Sequence, residues 1–182
     1  TAPIITNIVN IDLYTNDETP SVKFHSDESG FLKYLGSCLS NIKIAKEGEN
    51  TITFNKLEDG VYDCSIQLTD KSNNVAIIDF NIFTLDTISP NLEEIYKVFS
   101  PSNDNITHYT FNSSESGITT FFGGCIGSIS NSKKGDNTLT FNALTDNIYE
   151  NCKISVTDMA GNTSDNLSIS PFEIDTVAPI VK

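Results

Sequence analysis

The chain has 182 residues, with 24 acids against 11 bases and a net charge of −13 at pH 7, and all 11 bases are lysine. Without arginine or a basic stripe it lacks the cationic footprint for phosphate backbones or anionic bilayers, so neither nucleic-acid binding nor membrane contact is expected. The acidic balance suits cations, Ca²⁺ foremost, or simply keeps an extracellular protein dispersed.

Taken in chain order, the sequence reads as strands. Apolar and polar residues alternate through Val22–Phe24, Ile52–Phe54 and Tyr62–Leu68, the signature of half-buried β-structure, and nothing of useful length repeats at helical spacing. Turn residues at Asn16-Asp17, Ser29-Gly30, Glu47-Gly48, Asp59-Gly60 and Asn73-Asn74 separate the runs. Strands A to G are therefore expected at 4–11, 21–26, 31–36, 41–45, 50–55, 61–69 and 75–85. A second series is expected at 92–98, 107–112, 118–123, 128–131, 137–142, 148–157 and 163–175.

The two series are one pattern written twice. Phe24 and Phe111, Gly30 and Gly117, Cys38 and Cys125, and Tyr62 and Tyr149 each lie 87 residues apart, and Asn50–Phe54 matches Asn137–Phe141. Pro3, Pro90 and Pro179 close the same short motif at three places. A fixed period decides the architecture before any local reading. Seven short strands in under ninety residues fit a β-sandwich better than an up-and-down barrel. The expected fold is all-β: two tandem Ig-like seven-stranded β-sandwiches, 1–86 and 87–176, with 177–182 opening a third repeat.

Two cysteines per repeat at equivalent places predict the disulfides Cys38–Cys64 and Cys125–Cys152. If strands C and F are antiparallel neighbours, each bridge joins the end of C to the start of F within one sheet. Disulfides imply an oxidising compartment, secreted or cell-surface. Tyr149 and Cys152 are one residue further apart than Tyr62 and Cys64, which predicts a bulge near Glu150-Asn151. Asn73 and Gly161 align, and both residue types tolerate a left-handed backbone, so the F–G turn is expected to need one.

The phrases Asp59-Gly60-x-Tyr62-x-Cys64, Thr157-Asp158-x-Ala160-Gly161-Asn162 and Phe172-x-Ile174-Asp175-Thr176-x-Ala178-Pro179 resemble bacterial Ig-like repeats. So do Asn16–Pro20 and Ser113–Gly117. Those repeats build long secreted or surface-anchored adhesins, and the resemblance covers the whole chain. It implies a stalk, located outside the cell or on its surface, whose immediate partners are neighbouring repeats of the same chain. It does not imply a ligand.

No catalytic residues are expected. His25 and His108 fall at non-equivalent places on outward-facing positions, and no phosphate loop or metalloprotease motif is present. Metal binding is the one chemical expectation. Linker Asp86, bottom-loop residues Glu115 and Asp158, and top-loop residue Asp59, with Asp17, would gather carboxylates for Ca²⁺. The same acids serve equally well as turn residues that bond their own backbone. The alternative function is a ligand-binding module for a glycan or host protein. The chain has no tryptophan for a sugar platform, and Tyr14, Tyr34, Tyr96, Phe121 and Phe122 are the aromatics that alternation does not place. Of the adjacent pair Phe121-Phe122, one ring must face outward.

Overall fold

The computed structural model describes residues 1–181 and divides into two compact units, Thr1–Thr87 and Ile88–Lys182. In the first unit the strands are β1 (Ile5–Val9), β2 (Tyr14–Thr15), β3 (Ser21–Ser26), β4 (Gly30–Gly36), β5 (Ile44–Ala45) and β6 (Gly48–Thr53). They continue as β7 (Gly60–Tyr62), β8 (Cys64–Thr69), β9 (Val75–Asp79) and β10 (Phe83–Leu85). One sheet has the order β1-β3-β6 and the facing one β5-β4-β8-β9, with a small third sheet, β2-β10-β7.

Alternation makes the core. β3 turns Val22 and Phe24 inward and Lys23 outward, while β8 turns Cys64, Ile66 and Leu68 inward. These meet Ile52, Phe54 and Ile78 in one cluster. β4 and β8 run antiparallel, pairing Leu32 with Leu68 and Gly36 with Cys64, as the disulfide argument requires.

The expected strand limits are modified in two ways. Two long strands are each broken in two, F at Asp63 and G at residues 80–82, while A, expected over 4–11, stops at Val9 and the short β2 forms beyond its expected end. At the break in G, Phe80 turns into the core and Asn81 donates its side-chain amide to Ile11 O. Strand D is only β5, and it pairs with β4 rather than β6. The C–D connection is held back on C because Tyr34 Oη donates to Ile42 O at 2.5 Å and Leu32 N donates to Lys43 O. The result is a three-plus-four sandwich.

The second unit repeats this plan. It has β11 (Leu92–Tyr96), β12 (His108–Ser113), β13 (Gly117–Phe122), β14 (Asn131–Ser132) and β15 (Gly135–Thr140). β16 (Asn147–Tyr149), β17 (Lys153–Thr157), β18 (Leu167–Ser168) and β19 (Phe172–Ile174) complete it. Its sheets are β11-β12-β15, β14-β13-β17-β18 and β16-β19. Glu150 and Asn151 are both exposed between β16 and β17, so the extra residue is looped out and Cys152 stays buried beneath. Asn73 and Gly161 have φ of 65° and 96°, the left-handed position expected of both turns. Residues 177–181 form no strand and are exposed, and Lys182 lies outside the described residues.

The second core is more aromatic. Tyr149 stacks on Phe172 at 5.1 Å, Phe172 on Phe141 at 5.8 Å, and Tyr109 packs against Phe141 and Phe111. Phe121 lies half-buried against this cluster and Phe122 faces out, which satisfies the alternation of the pair. Tyr109 is fully buried, yet its hydroxyl has no hydrogen-bond partner among the described residues. Burial, with Glu94 nearby, pushes this phenol well above its ordinary pKa, so it stays neutral. An unpaired buried hydroxyl costs about 1–3 kcal/mol. Tyr109→Phe is therefore expected to leave stability unchanged or raise it by about 1 kcal/mol in denaturant melts.

Candidate functional site

The side chains that repeat between units form a set of polar clamps on the loops. The first closes the hairpin before strand E. Asn50 Oδ1 accepts from Lys46 N at 2.9 Å, and its Nδ2 donates to the carbonyls of Lys46 and Gly48. Asn137 makes the same three bonds with Lys133 and Gly135. Both asparagines are buried, so the loop backbone is satisfied without water.

The second clamp closes the F–G turn. Asp70 Oδ1 accepts from Ser72 N and Asn74 N, each at 2.8 Å, and Oδ2 accepts from Asn74 Nδ2. Asp158 Oδ1 accepts from Gly161 N and Asn162 N, and its Oδ2 from Asn162 Nδ2. The Asn74 amide chiefly holds the Asp70 carboxyl below its ordinary value of 3.8. A depressed carboxyl stabilises the fold above its unfolded pKa and ceases to do so as pH falls through the lower, folded value. Thermal melts below about pH 4 are expected to show this loss in the native chain and a flatter acid limb in Asp70→Asn.

The third clamp lies where each unit ends. Asp59 Oδ1 accepts from Thr87 N at 2.9 Å and from Thr87 Oγ1 at 3.0 Å. Asp146 Oδ1 accepts from Thr176 N at 3.1 Å and Thr176 Oγ1 at 2.8 Å. The E–F loop carrying each aspartate is steadied by a tyrosine: Tyr62 Oη donates to Glu58 O, and Tyr149 Oη to Thr145 O. The sequence reading missed Asp146, Asn50 and Asn137 as functional residues, although each stands at a repeated place.

The expected metal ligands divide. Glu115 and Asp158, both half-buried in the second unit, bring carboxylate oxygens within 4.8 Å of one another. Asp59 is turned onto Thr87, and Asp17 Oδ1 accepts from Thr19 N and Thr19 Oγ1 in its own turn. Asp86, next to last in the first unit, donates its backbone N–H to Thr15 O. Asp17 and Asp158 thus perform the turn chemistry that was the alternative reading, whereas Asp59 reaches a residue 28 positions further along the chain.

Both predicted disulfides are formed, with Cα–Cα distances of 5.5 Å and 5.6 Å and buried sulfurs. His25 is half-exposed, and His108 is exposed with Nδ1 2.9 Å from Thr140 Oγ1. The second unit carries open clefts of about 390 and 450 Å³. Ser89, Asn91 and Asp165 line the first, and Ile118, Thr157 and Met159 the second. Tyr34 is spoken for by the core: it packs edge-on to Phe54 at 6.4 Å, with Lys43 Nζ 5.2 Å from its ring centre. Tyr14 and Tyr96 are exposed singly.

No protein-family model matches the sequence, and no curated protein matches it. Among solved structures, the chain is similar to the fibronectin(III)-like modules of Clostridium thermocellum CbhA. The TM-score is 0.50 at 12% identity, with 94% of each chain covered. Domains 5–6 of the S-layer protein SbsC align over 94% of this chain and 98% of theirs at 10% identity, but a TM-score of 0.32 carries no argument. The first likeness shows the fold: an all-β sandwich of the Ig and fibronectin III type, in agreement with the three-plus-four sheets.

Proposed function

We propose that this chain is a structural spacer from a bacterial extracellular or cell-surface protein of adhesin type, with no enzymatic activity. It would hold a distal functional domain away from its anchorage. The observation that carries the reading is the repeated exit clamp: Asp59 on Thr87 and Asp146 on Thr176 fix the last residues of each unit by the same two bonds. A chain that needed only two folded units would not have to fix where each ends. Pro90 adds stiffness, since its ring sets its own φ and keeps Ser89 extended. The disulfides support an oxidising location. Small-angle scattering of the monomer is expected to show an elongated particle, and a compact profile with the units side by side overturns the spacer reading.

Calcium belongs to the same proposal, with Asp86, Glu115 and Asp158 as ligands and Asp59 as the least suited, because its inner oxygen already serves Thr87. A divalent ion would relieve the repulsion between the Glu115 and Asp158 carboxylates, whose oxygens lie within 4.8 Å of one another. Titration calorimetry with Ca²⁺ is expected to show heat that vanishes in Asp158→Asn. No heat in the native chain returns these acids to turn chemistry alone.

A further inference from the structure

The entering and leaving ends of each unit are tied directly to each other, and the ties all run one way. In the first unit Asn81 N–H donates to Asn10 Oδ1, and the Asn81 side-chain amide donates to Ile11 O. Thr84 N–H donates to Leu13 O and Asp86 N–H to Thr15 O, while β2 and β10 pair in parallel. As the donor advances from 81 to 86, the acceptor advances from 10 to 15. The seam is therefore a parallel ladder in which side chains complete what the two short strands begin.

The second unit builds the same seam from different residues. Ser170 gives its N–H and its hydroxyl to the two carboxylate oxygens of Glu94, at 2.9 and 2.6 Å. Glu173 N–H donates to Ser100 Oγ, Ser102 N–H to Glu173 O, and Asp175 N–H to Ser102 O, each at 2.9 Å. Ser102 and Ile174 form a parallel bridge. By the 87-residue shift Ser100 stands where the first unit has Leu13, so a hydroxyl replaces a main-chain carbonyl as acceptor. Glu94 has no acidic counterpart, since the same shift gives Asn7. One seam is thus maintained by two unrelated sets of side chains.

We infer that the seam makes each unit a tension-bearing element, which yields only when its parallel ladder shears. The inference rests on the spacer reading, in which the chain is pulled by its two ends. In a parallel pair, the start of one strand and the finish of the other lie at opposite ends of the ladder. Tension applied there slides the two strands along each other, so the rungs share the load and fail together. A hairpin pulled at its free ends would open one rung at a time. The core of each unit stays packed until the seam fails. The disulfides then limit what is released, because tension passes through the sulfurs instead of the chain between them. The bridged cysteines are 26 and 27 positions apart, so at about 3.4 Å per extended residue each bridge withholds roughly 80–90 Å.

Single-molecule extension of the full chain, held by its two ends at constant force, tests this. Two unfolding steps are expected, one for each unit. Ser100→Ala, at an exposed position, should speed one of them about fivefold, the worth of one hydrogen bond, and leave the other unchanged. Asn81→Ala should speed the other step instead. Ile154→Val is the control, since it trims the buried core and lowers thermal stability. With the core still packed when the seam fails, its rate under force should match the native chain. Reductant should lengthen each step by roughly 80–90 Å. Seam variants that unfold at the native rate, Ile154→Val speeding a step as much as Ser100→Ala, or steps that keep their length in reductant overturn the inference. None of these results touches the spacer reading, which a compact scattering profile would remove while leaving the force measurements standing.

Discussion

Removing the Cys38–Cys64 bridge, as the double Ala variant, is expected to lower the stability of the first unit by about 3.5 kcal/mol, from the entropy of a 26-residue loop. The Cys125–Cys152 bridge closes a loop of almost the same length, 27 residues, and its loss should destabilise the second unit by a similar amount. The position of the bridges matters as much as the loop. Each pins the end of strand C to strand F at the place where F is interrupted, at Asp63 in one unit and Glu150-Asn151 in the other. Without the bridge that end of the sheet has only a few ladder bonds. Chemical denaturation of each unit with and without reductant measures the effect, and equal midpoints under both conditions contradict it.

Gly123→Ala should be nearly as costly. Gly123 has φ +80°, and a Cβ built there would sit 1.9 Å from Asn151 O and 2.6 Å from Asn151 C. Gly36, its counterpart, has φ +79° and would meet Asp63 O at 2.2 Å. Both neighbours are backbone, so the clash cannot be relieved by turning a side chain. A left-handed alanine costs roughly 1–2 kcal/mol, and shifting the F strand away from β13 adds a similar strain, for about 2–4 kcal/mol in all. Gly124→Ala is the control. It has φ +85° but nothing within 4 Å of its Cβ, so it should lose only the left-handed part. Equal losses at 123 and 124 would show that φ, and not the close approach, sets the requirement.

Much of this was legible in the sequence because it is written twice. Phe24 and Phe111, Cys38 and Cys125, and Asn73 and Gly161 could be assigned from their pairing, and each lies where alternation or turn chemistry puts it. The looped-out residue at Glu150-Asn151 followed from one count. Strand D was not legible in the same way. Ile44-Ala45 could pair with either neighbour, and a single tyrosine hydroxyl on Ile42 helps hold it beside strand C. The breaks in F and G were hidden too, because Asp63 and Asn81 interrupt hydrogen bonding without interrupting the apolar pattern. Among the acids, sequence located Asp59 and Asp158 but could not say which N–H groups each would accept. The unpaired Tyr109 hydroxyl gives no signal in sequence, since Val22 occupies the equivalent place in the first unit.

On the spacer function proposed above, each unit fixes the chain leaving it through its exit clamp, and the array is stiff for that reason. Spin labels placed on exposed strand positions, one at Lys23 and one at Thr138, report it directly through their distance distribution. A narrow distribution in the native chain that broadens in Asp59→Ala, with both units still folded, is the predicted result. A distribution already broad in the native chain, and unchanged by Asp59→Ala, would contradict it.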